Sequence, residues 1–319
     1  MSKPSQPGLK PVPRHPYVQA AYAATNAQDG RQILDIRVWE MAVIERPITP
    51  NGGWDIAGSY PITPFPTGLD IPAGLAFMAD RGAVSFTAVT DPCHPPHWAD
   101  GTIEDAHIAP FKAHFVHEFD LSRGTHEAIY DKKTRRDVRK SQRLVEVQAH
   151  DFNDPTIRSR WVALYQQLMT RHDVAVGAQF SAASFDALAS VTGLHCLAAH
   201  GDAGINAMVL FLEHDGIAYV HLAGVNHDGY RTMSQYAIYD YALRFFGQER
   251  GCRLLNLGGA PGHQDDPSHG LAKFKNSFAT GTMQSHIVGI VLDKKRYNEL
   301  SAGCEGDFFP RYRMPKGIR

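Results

Sequence analysis

Cysteine is scarce in this sequence and net charge is close to zero. Its four cysteines, Cys93, Cys196, Cys252 and Cys304, stand far apart with no C-x-x-C pair. That spacing excludes a zinc ribbon or a disulfide scaffold and fits a reducing cytoplasm. The formal charge of −1 provides no global field to draw in DNA, so any polyanion must be met by a local patch. No run approaches the ~20 apolar residues of a membrane helix. The opening "MSKPSQPGLKPVPRHP" lacks the apolar segment of a signal peptide and reads as a flexible arm over residues 1–16. The G-x-S-x-G elbow, the P-loop and the dinucleotide fingerprint are also missing, which excludes the serine-hydrolase, P-loop and Rossmann classes.

A length of 319 residues suits two domains or one large one, and 43% hydrophobic residues is ordinary for a soluble globular protein. From Arg31, "QILDIRVWEMAVI" is strand-like, as are "AVSFTAVTD" and "FKAHFVHEFD". The intervening "PITPNGGWDIAGSYPITPFPTGLDIPAG" is rich in proline and glycine and is expected to be mostly loop. Later, Trp161, Leu164, Tyr165 and Leu168 recur at helical spacing. Three strands of a meander follow, with a tight turn at Asp215-Gly216. A long helix places Ile238, Tyr241, Ala242 and Phe245 inward and stops at Gly251. The strand "RLLNL", the segment "GLAKFKNSF" and the strand "QSHIVGIVLD" complete the chain. This order predicts a mixed α/β (α+β) fold with a largely antiparallel meander sheet.

Between Lys132 and Arg143 there are seven basic residues and one acid. Arg135, Arg139 and Arg143 share one helical face, Arg136 and Lys140 lie on an adjacent one, and Thr134, Val138, Ser141 and Val145 form a thin less-polar stripe. A solvated surface helix and an anion-binding helix both fit this pattern. Histidine is plentiful, but Cys93, His94 and His97 lack metal-ligand partner spacing, and His114 and His117 fall on opposite faces of a strand. No metal is expected.

Three segments, "YDKKTRRDVRKSQRLVEV", "HDGYRTMSQYAIYDYALRFFGQERGCRLLNLGG" and "GLAKFKNSF", occur in the order found in the GNAT acyltransferases. Together they resemble the FemAB-like branch of that superfamily over roughly the last 190 residues. The resemblance implies two GNAT-like lobes with a cleft between them, an N-terminal lobe over 17–150 and an acyltransferase lobe over 151–319. It also implies transfer of an aminoacyl group from aminoacyl-tRNA to the amine of a small molecule or cell-wall precursor. No cofactor would be tightly bound. Members that use coenzyme A open the long helix with a glycine-rich loop that holds pyrophosphate. Here the loop reads "NHDGYRTMSQ", with Gly229 and no G-x-G, as in FemAB-like enzymes, which favours tRNA over acyl-CoA as donor. Gly229 and Tyr230 remain candidate substrate-binding residues, and an acyl-CoA enzyme or a non-catalytic binding module are the rival readings.

Amide formation from an ester passes through a tetrahedral oxyanion, and one fixed donor there contributes on the order of 3–4 kcal/mol. By resemblance Lys275 faces that oxyanion and Phe274 walls the site, with Lys273 turned elsewhere by helical geometry. Gly258 and Gly259 would let backbone approach the acyl group. Asp265, Asp266 and His269 are candidates to take a proton from the attacking amine, and fit turn positions as well. Arg135, Arg136, Arg139 and Lys140 are the candidate phosphate-binding set.

Overall fold

The computed structural model describes residues 14–48, 52–96, 103, 105–119, 125–174, 179–260 and 268–314. The expected arm therefore lies mostly outside the described residues. After the one-turn helix α1 (Ala20–Ala24), β1 (Gln32–Ile36) and β2 (Met41–Pro47) form a hairpin through Arg37–Trp39. The proline- and glycine-rich stretch expected to be loop holds β3 (Trp54–Ala57) and the start of α2 (Ile71–Asp80). Four residues between glycines are too few for a periodic signal, and α2 begins where the Asp70 carboxylate accepts from the Ala73 amide at 3.0 Å. β4 (Ala83–Val89) and β5 (His107–Glu118) follow.

The second half opens with α3 (Lys132–Gln142), β6 (Glu146–His150), α4 (Pro155–Arg171) and α5 (Ala182–Leu188). The meander is β7 (Leu194–Gly201), β8 (Gly204–His214) and β9 (Ile217–Val225). The short helix α6 (His227–Arg231) precedes α7 (Ser234–Arg244), with Met233 between them at φ +57. β10 (Leu254–Gly259), α8 (Gly270–Asn276), β11 (Gly281–Val291) and α9 (Lys294–Leu300) complete the set.

Among the described residues eleven strands form one sheet, in the order β1-β2-β3-β4-β11-β5-β10-β9-β8-β7-β6. Of the described strands, only β3 with β4 and β9 with β10 pair in parallel. Each half repeats one plan: antiparallel strands lead into a parallel pair bridged by a helix, α2 in one half and α7 in the other. The strand beside each parallel pair comes from the opposite half, β11 next to β4 and β5 next to β10. β5 and β11 then pair with each other at the centre of the molecule. The two halves thus share a single sheet.

α4 buries Trp161, Leu164 and Tyr165 on one face of the second half. On the other face α7 buries Ala237, Ile238, Ala242 and Leu243. Each large side chain so buried contributes about 1.5–3 kcal/mol. The two parallel pairs differ at their C-terminal ends. β9 and β10 are in register only over Ile217–Tyr219 and Leu254–Asn256, then diverge. In the first half the pairing continues beyond β3, through Gly58 N to Thr87 O at 2.8 Å and the Thr63–Thr90 bridge. One crevice is open and its counterpart is closed, and ligands of α/β sheets sit beyond the carboxyl ends of such diverging strands.

Candidate active site

The open crevice ends at a bulge in β10. The pairing with β5 slips between Asn256 and Gly258, and the Asn256 Oδ1 accepts from the Gly258 amide at 2.8 Å. Gly258 has φ +79, a region that disfavours any side chain. A Cβ there would also stand 3.0 Å from Nζ of Lys275. Lys275 enters from α8, is 9% exposed and donates to the Gly259 carbonyl at 2.7 Å. Lys112 of β5 donates to the next carbonyl, Ala260. Two ammonium groups therefore converge on consecutive carbonyls at the end of one strand. Burial first, and the charge of Lys112 second, lower the Lys275 pKa from 10.5 to about 7.

A hydrogen-bonded chain runs from the bulge into the α4 face. His114 Nδ1 lies 3.2 Å from Asn256 Oδ1, and Asn256 Nδ2 lies 3.4 Å from Cys93 Sγ. Burial pushes the His114 pKa down to about 4, so its imidazole is neutral near pH 7. Asp91 has no exposure and accepts from the Tyr219 hydroxyl at 2.6 Å and the Cys93 amide at 2.9 Å. Burial would raise its carboxyl, but the bonds from His94, Tyr219 and Cys93 outweigh it and hold the pKa below the ordinary value. Lys112, His114 and Asn256 were not singled out in the sequence as parts of the site. Lys112 and His114 come from β5 and Asn256 from β10, far apart in sequence, and they form no motif. His117 faces the other way and bonds the Phe278 carbonyl at 2.8 Å.

Phe274 packs its ring on Tyr239 at 4.8 Å, Tyr236 at 5.0 Å and Phe278 at 5.3 Å. It pins α8 to α7, which fixes the direction in which Lys275 points. Lys273 is exposed. His269 caps α8, accepting from the Leu271 amide at 3.1 Å. Asp265 and Asp266 lie outside the described residues, as does His97.

The expected stripe is buried, with Thr134, Val138 and Ser141 on the inner side of α3 and Val145 just beyond its end. Asp137 joins it, 3% exposed and paired with Lys133 at 2.8 Å and Arg136 at 3.0 Å. Arg135 is half-buried and donates to the Tyr130 carbonyl at 3.0 Å. Arg139, Lys140 and Arg143 are exposed and make no ion pair among the described residues. α3 is held to α7 by Ser141, which donates to the Met233 carbonyl at 2.9 Å, and by Gln142, which donates to Asp240 at 2.8 Å. Tyr130 and His126 also bond Asp240, at 2.9 and 3.1 Å. His126, Glu127 and Asp240 bring ligand-type atoms within 4.8 Å of one another, but the oxygens of Asp240 are already engaged by these neighbours.

Before α7, four amides are occupied. Gly229 N donates to the Asn226 side chain at 2.7 Å, Tyr230 N to Asn226 O at 3.2 Å, Thr232 N to Asp228 O at 2.8 Å and Met233 N to Tyr230 O at 3.2 Å. Gly229 is a packing requirement, since a Cβ would lie 2.4 Å from the Asn206 carbonyl oxygen. Tyr230 bonds His172 at 3.0 Å beneath the guanidinium of Arg171.

Residues 131–275 match the family model described as the acetyltransferase (GNAT) domain, and the chain carries a GNAT domain over that span. This is the fold of an N-acyltransferase. FemX matches with a TM-score of 0.59 and 10% identity, over 90% of this chain and 95% of that one. A domain described as the C-terminal part of a lysylphosphatidylglycerol synthetase from Agrobacterium fabrum matches with a TM-score of 0.57 and 14% identity, over 86% and 88%. L-PGS from Bacillus licheniformis matches with a TM-score of 0.54 and 12% identity, over 77% and 80%. At these identities the likeness is one of fold, and it agrees with the FemAB-like resemblance. No curated protein matches the chain. Among the described residues no helix is long and apolar enough to cross a membrane.

Proposed function

We propose that the protein transfers an aminoacyl group directly from aminoacyl-tRNA to the amine of a small-molecule or cell-wall-precursor acceptor. The observation that carries the choice of donor is the loop before α7. A coenzyme A pyrophosphate needs free amides at that helix entry, and those of Gly229, Tyr230, Thr232 and Met233 are spent within the loop itself. The exposed cations Arg139, Lys140 and Arg143 offer the phosphates of a tRNA end an alternative site.

In this reading the ester carbonyl enters the crevice beside Gly258 and Gly259. The neutral acceptor amine attacks the carbonyl carbon, and an oxyanion develops on the carbonyl oxygen. Lys275, protonated, donates to that oxygen in a pocket where burial strengthens the interaction. Collapse breaks the bond to the ribose oxygen. The proton lost by the amine ends on that hydroxyl, and an amide remains. The neutral His114 and its partner Asn256 hold the bulge in place.

The reading is tested by mass spectrometry of products from the purified protein, candidate amines and either charged tRNA or acyl-CoA. Product is expected with charged tRNA alone. Turnover with acyl-CoA and no tRNA would overturn the choice of donor.

A further inference from the structure

α3 runs from beside α8 to a second concave surface. Just before the helix, the Tyr130 ring packs on Phe278 at 5.5 Å, and Phe278 packs at 5.3 Å on Phe274, the neighbour of Lys275. The helix then continues for 11 residues, which at ~1.5 Å per residue is on the order of 16 Å. At its far end lies a cavity of about 620 Å³, lined by residues 142–147, by the end of β7 with the turn after it, and by α7. The strand order gives the same scale, since four strand spacings separate β10 from β6, roughly 19 Å at ~4.8 Å each.

The side chains lining this cavity are accessible and of mixed chemistry. Arg143 is exposed and makes no ion pair among the described residues, and Leu144 beside it is 43% exposed. From α7 the exposed Arg244 lays its guanidinium over the half-buried Tyr241 ring, 4.8 Å from the centroid, and its ion pair with Glu249 is long, at 3.8 Å. A planar cation held on an aromatic ring presents its outer face for a base to stack on. Glu146 and Asp202 bring exposed carboxylates to the same cavity. The third acid in the lining, Asp240, is taken up by His126, Tyr130 and Gln142. Cations and carboxylates standing together suit neither a simple anion nor a simple cation. A nucleotide complements both, with a phosphate for arginine and base amino groups that donate to carboxylates.

We propose that this cavity holds one nucleotide of the unpaired 3′ tail of the tRNA, with its base stacked on Arg244 and its phosphate on Arg143. The proposal rests on aminoacyl-tRNA as the donor at the crevice. With the esterified end at Lys275, the roughly 16–19 Å to the cavity is spanned by about five nucleotides at the ~3.4 Å each occupies in a stacked strand, and by fewer in an extended one. The bound nucleotide therefore lies near the base of the tail. Arg139 and Lys140, exposed on the last turn of α3, take the neighbouring phosphates.

The test is fluorescence anisotropy of the full chain, at one fixed salt concentration, with two labelled RNA hairpins, one carrying an unpaired ACCA 3′ tail and one blunt-ended. The wild type should bind the tailed hairpin about tenfold more tightly than the blunt one. Arg244→Gln, at an exposed position, and Tyr241→Leu, which removes the ring beneath the guanidinium, should each weaken the tailed hairpin about tenfold and leave the blunt one unchanged. Arg244→Gln decides if Tyr241→Leu fails to fold. The proposal is overturned if the tail adds nothing to binding by the wild type, or if Arg244→Gln binds the tailed hairpin as the wild type does. Displacement of the tailed hairpin by micromolar AMP would assign the cavity to a free nucleotide and overturn it as well. Product assays with the wild type keep these failures apart from failure of the donor: amide formed from charged tRNA retains the donor when the cavity fails, and amide formed from acyl-CoA without tRNA overturns both.

Discussion

Lys275 is the side chain in which burial and proposed chemistry meet. With a pKa of about 7 in the fold and 10.5 as its ordinary value, the folded protein binds fewer protons than the unfolded chain between those limits. Wild-type stability should therefore rise with pH across that window, and the burden of burying the charge is fully present below pH 7. At about 1.4 kcal/mol per pKa unit this burden is a few kcal/mol. Lys275→Met removes it. The variant should melt above the wild type at pH 6, with the gap closing toward pH 10, as read by Tm across a pH series. A gap that does not change with pH would mean that the charge is not buried in solution. The same variant should lose roughly 100-fold or more in turnover, and wild-type turnover in Lys275→Met would remove the residue from the mechanism.

At the scale of elements, α3 and the loop before α7 divide the work of meeting phosphate. The helix uses Lys133, Arg135 and Arg136 on its own neighbours and leaves Arg139, Lys140 and Arg143 toward solvent. Replacing Arg139 and Lys140 together with glutamine should weaken the phosphate-bearing substrate and flatten its salt dependence. The expected change is a slope of roughly 0.7–0.9 log units per lost contact. Tm should hold, because exposed charges contribute little to folding. Affinity measured against salt concentration decides, and an unchanged slope would make α3 scaffold alone. Arg135→Gln should instead lower Tm, since its guanidinium holds the Tyr130 carbonyl.

For the molecule as a whole, the exchange of β5 and β11 makes the lobes interdependent. Residues 125–319 expressed alone would leave β10 with an open edge and deprive β11 of both its neighbours, β4 and β5. Such a fragment should aggregate or unfold without a cooperative transition, whereas the intact chain should unfold as one unit. A soluble, cooperatively melting fragment, seen by circular dichroism and gel filtration, would show that the shared sheet is not needed for stability. The exchange is the same on both sides, so the open crevice comes from the parting of β9 and β10 beyond Asn256 and not from the shared sheet. Each lobe has the parallel pair, but only the second lets it diverge, and the GNAT domain match falls there.

Much of the second lobe was legible in the sequence because its signals are local. The stripe Thr134, Val138, Ser141 and Val145 is buried as its spacing implied, and Lys273 and Lys275 point apart as helical geometry requires. The meander and the long helix likewise announce themselves by period and by turn residues. The division of α3 into engaged and free cations was not legible, because it depends on Tyr130 and Asp137 accepting from particular neighbours. Nor were β3, the strand exchange, or the company of Lys275. Lys112 and His114 reach the site from β5, and Asn256 from β10, across a distance in sequence that leaves no periodic trace. Arg313 meets Asp55 from 258 positions away. Local periodicity therefore determined which faces of each helix and strand are buried. Only the pairing of distant strands decided which charges share a cavity, because burial and the electrostatic field at a side chain are properties of all the segments packed around it.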